Sequence, residues 1–129
     1  MTIQDALSRV DLLKPNMQSV GFKIDYLSQI DAIIHRELLM KHEMNEAEEW
    51  PEEFEPYDEG TDRGTELLVP FPYDEDLYTF WLMSKVDIQN QELDKYANDR
   101  TLFNNAYETF SDWLTRTHMP ISAAREFHL

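Results

Sequence analysis

The sequence predicts an all-α fold: a small helical domain with a long acidic loop and an extended C-terminal tail. Three observations predict it. Apolar residues recur at steps of three and four in the first forty or so positions and again in the second half, the period of one helix face. From residue 74 to residue 118 there is neither Gly nor Pro, so nothing there punctuates a helix. Between these halves runs a carboxylate-rich stretch with no period of 2 or 3.6. With 129 residues, the chain is long enough for one compact domain and not two.

The first helix is expected near 3–13. Thr2 can cap it, with Asp5 at the N3 place of a capping box. Ile3, Ala6, Leu7, Val10 and Leu13 supply the apolar face. Pro15 ends the element, because its nitrogen has no hydrogen to donate and it restricts the residue before it. The second helix is expected over 19–42, starting near Gln18 or Ser19. Its stripe is Ile24, Leu27, Ile30 or Asp31, Ile34 and Leu38, and it fades at His42.

Residues 43–72 read as a long loop. From Glu43 to Glu66 there are eleven acidic residues and one basic residue, Arg63, punctuated by Pro51, Pro56, Gly60 and Gly64. There is room for one helical turn near 45–49 and a short strand at 67–69. A loop this long in a compact domain is either functional or disordered. It also carries Trp50, Phe54 and Tyr57 among its carboxylates. A solvated linker has little use for these rings, and a core element would not tolerate so many Glu. Two readings stay open: a docking loop over 43–66 with those three aromatics as anchors on a partner, or aromatics folded back onto the chain's own core.

Asp74, Glu75 and Asp76 suit the first turn of a third helix, where carboxylates favour the helix dipole. The following stripe is Leu82, Val86, Gln89, Leu93, Tyr96, Arg100, Phe103, Tyr107, Phe110 and Leu114. It fits one helix of about 40 residues or two with a break near "ANDRT". A mean helix length near 12 residues and the capping ability of Asn98 and Asp99 favour two, over 74–97 and 99–117. Gln89 and Arg100 interrupt the stripe where a monomeric pair would place Leu. They suit a subunit interface, or else the edge of the stripe reaching water. Pro120 stops the last helix. Residues 1–117 thus form one helical domain, and 118–129 a tail whose Phe127 and Leu129 could anchor on a partner.

Charge narrows the function. The formal net charge is −15, which repels phosphate backbones and disfavours nucleic-acid binding. Anionic membranes are disfavoured likewise, while a basic partner stays open. No cysteine is present, so disulfides, thiolate metal sites and cysteine nucleophiles are excluded. No run approaches the roughly 18 apolar residues that span a bilayer. The N-terminus lacks the basic start and apolar run of a secretory signal. A chain made and kept in a cytoplasm is expected.

An enzyme needs a constellation of nucleophile, base and orienter, or a metal with its ligands. Gly21, Gly60 and Gly64 are the only glycines, too few for a phosphate cradle, and no GxGxxG, P-loop or GxSxG occurs. Asp31 and His35 lie four apart on one helix face, within reach of a shared metal; a surface helix pair is the favoured reading, since three or four ligands are needed and no second motif supplies them. "DEGTDRGTE" is loosely like a calcium loop, but its third position is Gly60 and its sixth Arg63, where a ligand and a glycine are wanted. No catalytic residue, metal or cofactor is expected, and an enzyme is not.

Residues 72–120, "PYDEDLYTFWLMSKVDIQNQELDKYANDRTLFNNAYETFSDWLTRTHMP", carry a pattern that resembles small proteins of tailed bacteriophages and prophages of Gram-positive hosts. The matching positions are Tyr73, Asp74, Glu75, Tyr78, Trp81, Leu82, Asp87, Asn90, Glu92, Tyr96, Asn98, Phe103, Asn104, Tyr107, Phe110, Trp113, Arg116, His118 and Pro120. "LLKPN" and "GTELLVPFPYDE" also fit. Phe80, Val86 and Leu114 depart from it, standing where Tyr, Ile and an aromatic are commoner.

Such proteins are similar to the head–tail connector, or adaptor, group. The resemblance implies a structural virion protein of the phage neck, made in the host cytoplasm. It implies a homo-oligomeric ring, of about twelve subunits, beneath a portal protein and against a tail-proximal neck protein or stopper. DNA would pass through without specific binding, and no membrane is involved. It carries over no active-site residue. A negative lumen fits that role, because it avoids adhesion to DNA. The alternative from a different class is an acidic DNA mimic that occupies a host nucleic-acid-binding enzyme; the position of the densest acid cluster in a Pro-containing loop, not along helices, argues against it.

Overall fold

The computed structural model describes residues 1–121. Among them are four α-helices: α1 Ile3–Leu13, α2 Val20–Glu37, α3 Asp74–Gln89 and α4 Leu93–Thr117, with one tight 3-10 turn, Leu39–Lys41. The domain is all-α. Phe127 and Leu129 lie outside the described residues.

Local chemistry sets the helix starts. Thr2 Oγ1 accepts from Asp5 N at 3.1 Å while Asp5 Oδ2 accepts from Thr2 N at 2.9 Å, the reciprocal capping box. The Thr2 amide, and then the Thr2 hydroxyl, hold the Asp5 carboxyl below its usual value. Ser19 Oγ accepts from Phe22 N at the start of α2. The expected helix over 19–42 stops at Glu37 and tightens into the 3-10 turn.

α3 and α4 form an antiparallel hairpin, with α1 and α2 packed onto α3. Ile3, Val10, Ile24, Leu27, Ile34, Leu77, Val86, Phe110 and Leu114 are buried at their centre. The break in the long helical stretch falls at 90–92 rather than at the expected 97–101. Gln91 has φ of 58°. Glu92 N donates to Asp87 O and Gln91 N to Ile88 O, the paired bonds of a Schellman C-cap. That motif ordinarily ends in Gly; here Gln takes the left-handed place. Asp99 does not cap a helix. It is buried inside α4 and accepts from Lys14 Nζ at 3.2 Å.

The strand expected at 67–69 is not formed. Leu67 and Val69 are buried, but pairing is reduced to a single antiparallel bridge between Thr2 and Glu66. Ile3 N and Gln4 N, unsatisfied within α1, donate to Thr65 O and Arg63 O, and Leu67 N donates to Met1 O. The end of the acidic loop therefore satisfies the first turn of α1, which leaves no second strand to pair with. The start of the expected tail is also not loose. His118 is buried, Glu43 N donates to Met119 O at 2.8 Å, and His42 bridges Pro120.

Candidate functional site: the acidic-loop cleft

The loop between α2 and α3 folds back onto the helices, and one buried carboxylate organises it. Asp31, on α2, has no exposed surface. It accepts from Tyr57 Oη at 2.6 Å, from Leu68 N at 3.1 Å and from Tyr78 Oη on α3. Tyr78 Oη in turn accepts from Val69 N at 2.9 Å. Burial raises the Asp31 carboxyl above its usual value despite these three donors. Burial, then the charge of Asp31, pushes both tyrosine hydroxyls up, so they stay donors.

Further ties hold the outer part of the loop. His35 Nε2 donates to Pro51 O at 2.6 Å; a carbonyl can only accept, which places the proton on that nitrogen. His118 Nε2 meets Glu48 Oε1 at 2.6 Å, and the same oxygen accepts from Asn45 N. The His118 ring lies between Trp50 and Trp113, at 5.6 and 5.4 Å. Phe54 packs edge-on to Tyr57 at 5.2 Å.

These contacts separate the three expected loop anchors. Tyr57 is 8% exposed and its hydroxyl is committed to Asp31, so it is a fastening of the chain to itself and not a free anchor. Trp50 and Phe54 are only half-buried against the core. Both face a cleft of about 670 Å³ whose other wall includes Phe110, Trp113 and Leu114. Glu49, Glu53 and Glu55 are exposed along its edge.

The two expected interface residues are apart from this cleft. Gln89 is exposed at the last turn of α3. Arg100 lies over the rings of Trp81 and Phe103, 5.5 and 5.3 Å from their centroids. Lys85 covers Trp81 from 4.2 Å. The polar break at Arg100 is thus the edge of the apolar stripe, where cations roof an aromatic ring.

Asp31 and His35 share a helix face but serve different partners, two tyrosines and a carbonyl. Among the described residues no three His, Asp or Glu side chains are grouped to hold a metal ion. In "DEGTDRGT", Asp58 Oδ1 accepts from Gly60 N at 2.8 Å and Asp62 Oδ1 from Gly64 N at 2.7 Å. The calcium-like acids are two successive Asx turns built on an Asp-x-Gly-Thr repeat.

Sequence reasoning missed the hub at Asp31, which it carried as an alternative to Ile30 in a helical stripe and as half of a surface pair with His35. It also missed a second buried charge cluster. Lys14 Nζ pairs with Asp87 and Asp99, which come from α3 and α4. Burial, and the neighbouring Asp99 carboxyl, push Asp87 up to about 6. Its Oδ2 is buried without a hydrogen-bond partner. Spacing could not have found this, since the three residues come from three separate segments.

Among the described residues no helix is long and apolar enough to cross a membrane. No family model matches the chain, and no curated protein or solved structure matches it either.

Proposed function

We propose that the chain is a structural virion protein, a head–tail connector or adaptor subunit that forms a ring beneath the portal of a tailed phage. The observation that carries this reading is the aromatic cleft under the acidic loop, a concave surface with apolar walls and a carboxylate edge. Such a surface is suited to receive a segment of a neighbour.

The motif resemblance adds support of a specific kind. Its residues hold this fold together. Tyr78 donates to Asp31, Trp81 Nε1 donates to Tyr26 O at 2.7 Å, Asp87 pairs with Lys14, and the Tyr73 ring packs tilted against Trp113 at 5.3 Å. A shared scaffold rather than shared chemistry is what a ring-forming family would retain. The net charge of −15 fits a channel that DNA traverses without sticking. Exposed apolar residues at both ends of the α3–α4 hairpin, Leu93 at one and Phe71 and Met119 at the other, suit the head-to-tail contacts from which rings close.

Native mass spectrometry of the protein, alone and mixed with its cognate portal, tests the proposal. A ring, or a portal complex of matching stoichiometry, is the expected result. A monomer that ignores the portal would overturn it and move the DNA-mimic alternative ahead, to be pursued by pull-down from host lysate.

A further inference from the structure

We infer that the acidic-loop cleft takes an extended basic segment of a partner protein, one in which Arg or Lys flanks a bulky apolar side chain. This deepens the connector reading and rests on it only for which protein supplies the segment. The occupant's chemistry follows from the lining. The walls are apolar: Phe110, Trp113 and Leu114 on the helix side, Trp50, Phe54 and Leu67 on the loop side. The edge carries Glu49, Glu53 and Glu55, exposed and without an ion pair among the described residues. No Lys, Arg or His is among the lining residues. An apolar anchor would gain the walls, and a flanking cation would gain the carboxylates and the faces of the Trp rings. An acidic or phosphate-bearing occupant would meet repulsion at the edge and from the whole chain.

The fold already uses this pairing internally, where Lys85 and Arg100 lie over Trp81. The cleft, at about 670 Å³, is within the range of roughly 300–1,000 Å³ of natural ligand sites. It is also held open before any ligand arrives. Asp31, His35 and His118 fasten Tyr57, Pro51 and Glu48 respectively, so little ordering is left to oppose binding.

The test titrates the full-length chain with three synthetic peptides and follows the indole N–H resonances of its tryptophans. The probes are acetyl-Gly-Arg-Leu-Phe-Arg-Gly-amide, the same peptide with Glu for Arg, and the same with Gly for Leu and Phe. Trp81 is an internal control, because its indole is engaged by Tyr26 O away from the cleft. The basic apolar peptide is expected to shift Trp50 and Trp113 saturably and leave Trp81 unmoved. The double variant Glu53→Gln with Glu55→Gln should weaken that binding about tenfold, as should roughly 1 M salt. Equal binding of the acidic peptide, a response confined to Trp81, or no saturation with the basic peptide overturns the inference. So does self-association that by itself shifts Trp50 and Trp113 and blocks the basic peptide, which would make a second copy the occupant. A chain that binds the basic peptide yet ignores the portal overturns the connector reading and leaves the cleft standing. Assembly on the portal by a chain whose cleft fails to bind the basic peptide does the reverse.

Discussion

Tyr57 and Asp31 lie 26 residues apart in sequence and meet through a 2.6 Å hydrogen bond. That contact joins the middle of the acidic loop to the buried face of α2. Asp31 also serves Tyr78 and Leu68 N, so one carboxylate ties two cleft-lining points of the loop, Tyr57 and Leu68, to α2 and α3.

Asp31→Ala would strand two hydroxyls and an amide inside the protein. Each unsatisfied buried group costs about 1–3 kcal/mol, and a loss of about 4 kcal/mol is expected in urea unfolding. Tyr57→Phe removes only one bond and should cost about 1 kcal/mol. Its amide-exchange signature should be confined to the loop. Equal acceleration of exchange in α4 would contradict the role given to Tyr57.

Gln91 occupies the left-handed position of the α3–α4 turn. A side chain there costs about 1 kcal/mol relative to Gly. Gln91→Gly is therefore expected to raise stability by about 1 kcal/mol, and Gln91→Val to lower it, in chemical denaturation. A destabilising Gln91→Gly would mean that the side chain makes contacts outweighing the backbone term.

Asp87 has a folded-state value raised to about 6, above its unfolded one. A group of this kind binds its proton more tightly when folded, so its contribution is fully present below the unfolded value and is lost as pH rises through about 6. Asp31, also raised by burial, acts in the same direction. Lowering the pH from 7.5 to 5 should thus increase the midpoint of thermal unfolding, by about 5 °C. Asp87→Asn should flatten that rise. A fall in stability on mild acidification of the parent protein would count against the raised values.

Trp50 is half-buried between His118 and the cleft. Trp50→Ala removes one cleft wall and part of a ring stack, at a cost to folding of about 2 kcal/mol. The variant should remain folded by circular dichroism while losing assembly on the portal. Full assembly by a folded Trp50→Ala chain would exclude the cleft from the contact.

Legibility in the sequence followed how local the deciding forces were. The capping box of Thr2 and Asp5, the start of α2 near Ser19 and the acidic first turn of α3 were all readable, because the deciding contacts lie within one turn. The α3–α4 break was misplaced. Its signal is normally a glycine, and here Gln91 adopts the left-handed backbone because the packed hairpin and Lys14–Asp99 contact hold α4 in register beyond it.

The all-α class, the helix faces and the acidic loop were determined by the sequence alone, since periodicity and the absence of Gly and Pro act on neighbouring residues. Whether the aromatics of the loop reach outward or inward was decided only by the tertiary structure. Trp50, Phe54 and Tyr57 all border the cleft, yet the Tyr57 hydroxyl is fastened inside to Asp31 while Trp50 and Phe54 stay half-buried. The difference is a buried carboxylate on another helix that needs hydroxyl and amide donors, and no pattern within the loop encodes where that carboxylate lies.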